Sequence, residues 1–146
     1  MEMIIRKLGL ADADLLYELG AQQFKGEFWY NKRFLKETLK TFGRHYGAFE
    51  GKNLIGSILT RMYDKPKSWI YFFVVDKQFR RAGIGSRLLS AVEKSLPKGY
   101  FMIYVDFEDS DIEAKKFYNK RGFKKQAKIN HWFGRDMPGL LYSKKL

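Results

Sequence analysis

Apolar and polar positions change period along this chain, and each change marks an element. Met3 to Lys7 reads as a strand. Asp12 or Asp14 caps the helix that follows, which carries Leu15, Leu16 and Leu19 on one side. A second helix runs from Asn31 to Phe42, with Leu35, Leu39 and Phe42 at i, i+4 and i+7. Between the helices lies Phe24 to Tyr30, four aromatics around a glycine, read as core for most of its rings. Tyr46 to Glu50 and Leu54 to Met62 form a strand pair joined at Gly51-Lys52-Asn53.

Trp69 to Val75 is an unbroken aromatic and β-branched run, the pattern of a central strand buried on both faces. Leu88, Leu89, Val92 and Leu96 mark one face of a helix ended by Pro97 and Gly99. Tyr100 to Phe107 is a further strand. Ser110-Asp-Ile-Glu113 reads as a capping box opening a helix with Ala114, Phe117 and Tyr118 inside and Gly122 at its end. Gln126 to Phe133 and Leu140 to Lys145 supply the last strands. The order β-α-α-β-β-β-α-β-α-β-β, without repeat or linker, predicts one mixed α/β domain over residues 1–146.

Composition narrows the chemistry. A chain of 146 residues, 45% of them apolar, has the size of one core. Its apolar runs are too short for a membrane span, and its opening residues lack a signal-like apolar stretch. The absence of cysteine removes disulfides, thiolate metal ligands and a Cys-acyl intermediate, and fits a cytoplasmic protein. Two histidines make a His-rich metal site improbable, so no metal is expected. The net charge of +12 suits a phosphate-bearing ligand, although for a basic domain in general solubility is the commoner reason.

Val75 to Leu89 gives that ligand a place. A strand leads through Arg80-Arg81-Ala82-Gly83-Ile84-Gly85-Ser86 directly into a helix. Glycines there let backbone N–H groups approach an anion, and the helix start adds partial positive charge. Neither the dinucleotide nor the nucleoside-triphosphate fingerprint is met.

This stretch resembles the coenzyme A-binding motif of the GNAT superfamily, Arg/Gln-x-x-Gly-x-Gly/Ala after a Val-ended strand. The superfamily's second signature, Ala-x-x-x-Tyr-x-x-x-Gly-Phe, is matched by Ala114, Tyr118, Gly122 and Phe123. The resemblance covers nearly the whole chain. It implies a single-domain GNAT-like α/β fold, with a mixed, mostly antiparallel sheet flanked by about four helices, and transfer of an acetyl group from acetyl-CoA to an amine. Phe73, Val74 and Val75 would then pair with the pantetheine arm. Arg80, Arg81, Ala82, Gly83, Ile84, Gly85 and Ser86 would bind the pyrophosphate, and Lys120, within a basic run from Lys115 to Lys128, would lie on the 3′-phosphate side. At Asp111 the family commonly has Asn, so that residue is read as a helix cap.

Tyr118 matches the family's acid and stays protonated at pH 7. Asp106, twelve residues before it, is the best-placed base, in a layout resembling that of the ribosomal-protein N-terminal acetyltransferases, which carry Glu there. Glu50, Asp64 and a water chain are the alternatives, and His45 and His131 are read as loop or core residues, with His131 near the acceptor side. The competing functions are a basic nucleic-acid-binding module, disfavoured because its cations form no reading helix, and an acetyl-CoA sensor without catalysis. The sequence leaves the acceptor amine and a homodimer open.

Overall fold

In the computed structural model, which describes residues 2–146, seven strands and four helices follow the predicted order. They are β1 (Ile4–Lys7), α1 (Ala13–Phe24), α2 (Lys32–Lys40), β2 (Tyr46–Glu50), β3 (Asn53–Met62), β4 (Lys67–Val75), α3 (Ile84–Ser95), β5 (Met102–Glu108), α4 (Ile112–Lys120), β6 (Lys124–Gly134) and β7 (Met137–Lys145). The sheet runs β1-β2-β3-β4-β5-β7-β6. The β1–β2, β2–β3, β5–β7 and β6–β7 ladders are antiparallel, and β4 pairs with β5 in parallel through Lys67–Trp69 and Met102–Tyr104. The chain forms two compact units, one comprising the residues up to Met62 with Tyr71–Pro97, the other Tyr63–Ile70 with Lys98–Leu146.

In the first unit, Leu16 and Leu19 of α1 and Leu35 and Leu39 of α2 pack with Leu54, Leu59, Phe72 and Val74. Each such side chain contributes roughly 1.5–3 kcal/mol by leaving water. Two helix positions read as core are not: Leu15 is 42% and Phe42 58% exposed. The buried face of α1 is narrower than the apolar run, and α2 stops at Lys40, so Phe42 is beyond the helix and its periodicity. Its carbonyl instead accepts from the Met62 N–H at 2.8 Å. Asn31 caps α2 by accepting from the Phe34 N–H at 2.8 Å.

Asp12 does not cap α1 with its side chain. Its carboxylate accepts from the Gly9 N–H and from the Arg6 guanidinium, both at 2.9 Å. The bond from Arg6 holds the Asp12 carboxyl below the usual carboxylate range, against the opposing effect of burial. Phe24, Trp29 and Tyr30 join the aromatic packing around Tyr17 and Phe72, as expected, whereas Phe28 is 95% exposed.

α3 lies close against β3 because Gly56 has no side chain. A Cβ there would stand 2.9 Å from the Ile84 Cγ2 and 3.2 Å from Leu88 Cδ1. β4 is central in strand order, but burial along it alternates, with Ser68, Ile70, Phe72 and Val74 buried and Tyr71 exposed. The expectation of burial on both faces is therefore corrected: one side of the run is only partly covered.

In the second unit β5 also alternates. Ile103, Val105 and Phe107 are buried, while Met102, Tyr104, Asp106 and Glu108 are half-buried on the opposite face. The cap of α4 is Asp111, whose Oδ1 accepts from the Ala114 N–H at 3.0 Å, the capping role read for it, and not the Ser110 of the capping box. An Asp can reach the third N–H as well as a Ser can. β6 is an edge strand whose exposed Lys124, Lys125 and Lys128 discourage pairing with another chain.

Candidate active site

The stretch after β4 is built to leave backbone N–H groups bare. Asp76 fixes its start: Oδ1 accepts from the Gln78 N–H at 2.9 Å, Oδ2 from the Gln22 amide at 3.0 Å, and its own N–H donates to the Ile55 carbonyl at 2.8 Å. Arg80 points its Nε back at the Val75 carbonyl, 3.5 Å away. Arg81 and Gly83 then adopt left-handed conformations, φ 69° and 77°. For Arg81 this costs roughly 1–2 kcal/mol, a strain of the kind that clusters at ligand sites.

Gly83 occupies the N-cap of α3 and offers no capping side chain. The Arg87 N–H is the donor that closes the first turn, onto the Gly83 carbonyl at 3.1 Å. The N–H groups of Ile84, Gly85 and Ser86 precede it, so they have no acceptor within the helix and carry its partial positive charge. A Cβ on Gly83 would meet no described atom within 4 Å, so the space beside these donors is open. Ile84, 1% exposed, anchors the helix start in the core. An anion of pyrophosphate type fits such a cradle. Phe73, Val74 and Val75 lead into it along β4, with the Val74 side chain buried in the core.

The second unit holds the residues suited to proton chemistry. Tyr118 is 6% exposed, stacked on Phe107 at 5.4 Å between centroids and edge-on to Phe117 and Phe123. Burial, then the negative charges of Asp111 and Asp106, push its phenol well above its ordinary range.

Asp106 projects from the other face of β5, and both its oxygens are engaged by neutral donors. The Trp69 indole N–H donates to Oδ1 and the Trp132 indole N–H to Oδ2, each at 2.9 Å. Trp69 also stacks on Tyr104, centroids 5.5 Å apart. The sequence offered no reason to join these residues, because which side chains meet across strands depends on register.

Of the remaining candidates, Lys120 is exposed at the end of α4, and Lys115 and Lys128 are paired with Asp109 at 3.0 and 3.2 Å. His45 is buried, its Nε2 3.3 Å from the Thr41 carbonyl and its Nδ1 unpartnered. His131 sits on an exposed hairpin, its Nδ1 accepting from the Asp136 N–H at 2.9 Å. Asp64 is exposed and Glu50 ends β2. Among the described residues no group of His, Cys, Asp and Glu is arranged to hold a metal, and no helix is long and apolar enough to cross a membrane.

The sequence pattern of the acetyltransferase (GNAT) family matches residues 13–123, which include both the bare helix start and Tyr118. The chain belongs to the GNAT family. Solved structures share its fold over nearly their whole length. Ard1 from Thermoplasma volcanium superposes with a TM-score of 0.88 at 21% identity, covering 100% of this chain and 99% of that one. An aminoglycoside 6'-N-acetyltransferase complexed with coenzyme A gives 0.87 at 20% identity, covering 97% and 96%. The ribosomal-protein-S18-alanine N-acetyltransferase from Escherichia coli gives 0.84 at 15% identity, covering 99% and 94%. No curated protein matches the chain. In this GNAT protein Gly83 is left-handed and α3 begins without a side-chain cap.

Proposed function

We propose that this GNAT N-acetyltransferase moves the acetyl group of acetyl-CoA onto a primary amine by direct attack, with Arg80 to Ser86 holding phosphates, Asp106 serving the amine and Tyr118 serving the sulfur. The observation that carries the reading is the α3 N-terminus left without a side-chain cap behind Gly83. Phe73, Val74 and Val75 supply backbone for the pantetheine arm, and Lys120 adds positive charge.

Acetyl-CoA supplies the acyl carbon activated as a thioester. The attacking amine must be neutral, so an ammonium proton has to leave first. The Asp106 carboxylate spends one lone pair per oxygen on an indole N–H and keeps others for that proton or for a water carrying it. As the C–N bond forms and the C–S bond breaks, negative charge gathers on sulfur. The Tyr118 hydroxyl donates to it. Because the Tyr118 proton is held more tightly than in an ordinary phenol, its main contribution is a hydrogen bond that strengthens as the thiolate develops. Starting from the ammonium, the nitrogen gives up two protons, one through Asp106 to solvent before attack and one as the C–N bond forms, while the sulfur takes up one, leaving an amide, a thiol and one released proton.

Thermal melts with acetyl-CoA, followed by a thiol-release assay over an amine panel, test the reading. A higher melting temperature and amine-dependent thiol release are expected. An unchanged melting temperature at saturating acetyl-CoA would remove the cofactor assignment.

A further inference from the structure

Asp106 is held on both oxygens by indole N–H groups. The protein carries 28 Lys and Arg. Ion pairs join Arg6 to Asp12, Lys32 to Asp14, Lys40 to Glu37, and both Lys115 and Lys128 to Asp109. Asp106 takes part in none of these pairs. Its partners are two indoles, which orient the carboxylate without cancelling its charge. A half-buried carboxylate fixed by neutral donors retains its attraction for an incoming cation, whereas one already paired with lysine does not.

The surroundings suit the same visitor. Trp69 and Tyr104 present stacked rings beside the carboxylate, and Trp132 closes on it from the β6–β7 hairpin. Aromatic faces attract ammonium ions through their quadrupole, Trp most strongly. Trp132 is held there by a dedicated gap. Gly139 pairs with Glu108 of β5, and a Cβ at that position would stand 2.4 Å from the Trp132 Cδ1. The absence of a side chain at Gly139 therefore lets the indole lie across β7 and reach Asp106. The hairpin bulges between Ile129 and Gly134, the interval that contains Trp132.

We infer that Trp69, Trp132 and Asp106 form a binding site for the acceptor as an alkylammonium ion, with the two tryptophans as positioning residues for the carboxylate. This rests on the reading that Asp106 serves the amine. It goes further by naming the charged, aliphatic form as the species recognised, in preference to neutral aryl amines.

The three tryptophans, Trp29, Trp69 and Trp132, give the test its readout. The full-length protein, isotopically labelled and free of acetyl-CoA, is titrated with n-butylammonium chloride and separately with 1-butanol, following the indole N–H resonances. Saturable shifts of the Trp69 and Trp132 signals are expected with the ammonium but not the alcohol, while Trp29 stays still. Asp106→Asn should weaken that binding at least tenfold. Trp132→Phe, which keeps a ring and loses the donor, should weaken it about threefold. Equal shifts with butanol, or undiminished ammonium binding by Asp106→Asn, would overturn the inference. Turnover separates this from the underlying reading. Ammonium binding that depends on Asp106, with undiminished thiol release in Asp106→Asn, would uphold recognition and end the role of Asp106 as proton acceptor. Normal turnover in the wild type with no ammonium shift would overturn the recognition and leave the acetyl-transfer reading standing.

Discussion

The candidate sites of the two units are built from different materials. The first makes its anion cradle from backbone: a left-handed glycine, an uncapped helix start and an isoleucine that pins the helix. The second makes its carboxylate site from side chains on three strands, with Trp69 of β4, Asp106 of β5 and Trp132 of β6 meeting through register. A backbone site fails when a side chain is added, and a side-chain site fails when one is taken away or displaced. Substitutions in one should therefore alter cofactor affinity, and those in the other should alter what happens to the amine and the sulfur.

The largest effect on cofactor affinity is expected at Gly83→Val. The new branch would enter the open space beside the α3 donors, in a backbone conformation that suits glycine. Acetyl-CoA affinity should fall by about 100-fold, or ~2.7 kcal/mol, while circular dichroism remains that of a folded protein. Affinity within a few-fold of wild type would mean the stretch is only a turn.

Next comes Tyr118→Phe, which preserves the ring packing against Phe107 and removes the hydroxyl. Turnover should drop about 10- to 1,000-fold, with acetyl-CoA affinity unchanged. Since burial and the nearby Asp111 and Asp106 charges raise the phenol, the wild-type rate should show no alkaline decline from this group below about pH 10. A decline assigned to Tyr118 at lower pH would contradict its placement.

Gly139→Ala probes the side-chain site without touching its donors. The added methyl would push on Trp132, so turnover with an alkyl amine should fall about tenfold, less than the 100-fold that a 1 Å misplacement can cost. The Trp132 indole resonance should shift at the same time, and an unmoved signal would mean that Gly139 does not hold it.

The smallest effect concerns stability alone. Burial lowers the His45 basicity, so the folded state favours the neutral ring. A depressed folded value means stability is fully present above the unfolded value of about 6.5 and is lost as pH falls through the folded one. The melting temperature should decline on acidification below about pH 6.5, and His45→Gln should flatten that part of the curve.

The first unit's chemistry was the more legible in sequence, for a physical reason. Gly83 and the start of α3 are neighbours in the chain, and what they offer is set by local conformation. Element order was legible too, since β4, α3 and α4 each carry their period locally. The left-handed Arg81 was not, because its strain is imposed by the structure on both sides of it. Leu15 and Phe42 misled because an apolar residue near a helical face need not lie within it. Asp106 was singled out as a candidate base through a resemblance in its spacing to Tyr118. Trp69 and Trp132 were missed because residues 37 and 26 positions away from Asp106 meet only once three strands have settled their pairing.

The division of labour is tested most directly by one quantity, the acetyl-CoA dissociation constant, measured by titration calorimetry on the wild type, Gly83→Val and Asp106→Asn. The expected result is a loss of about 100-fold in Gly83→Val and a value within about twofold of wild type in Asp106→Asn. Equal losses in both variants, or none in Gly83→Val, would contradict the account.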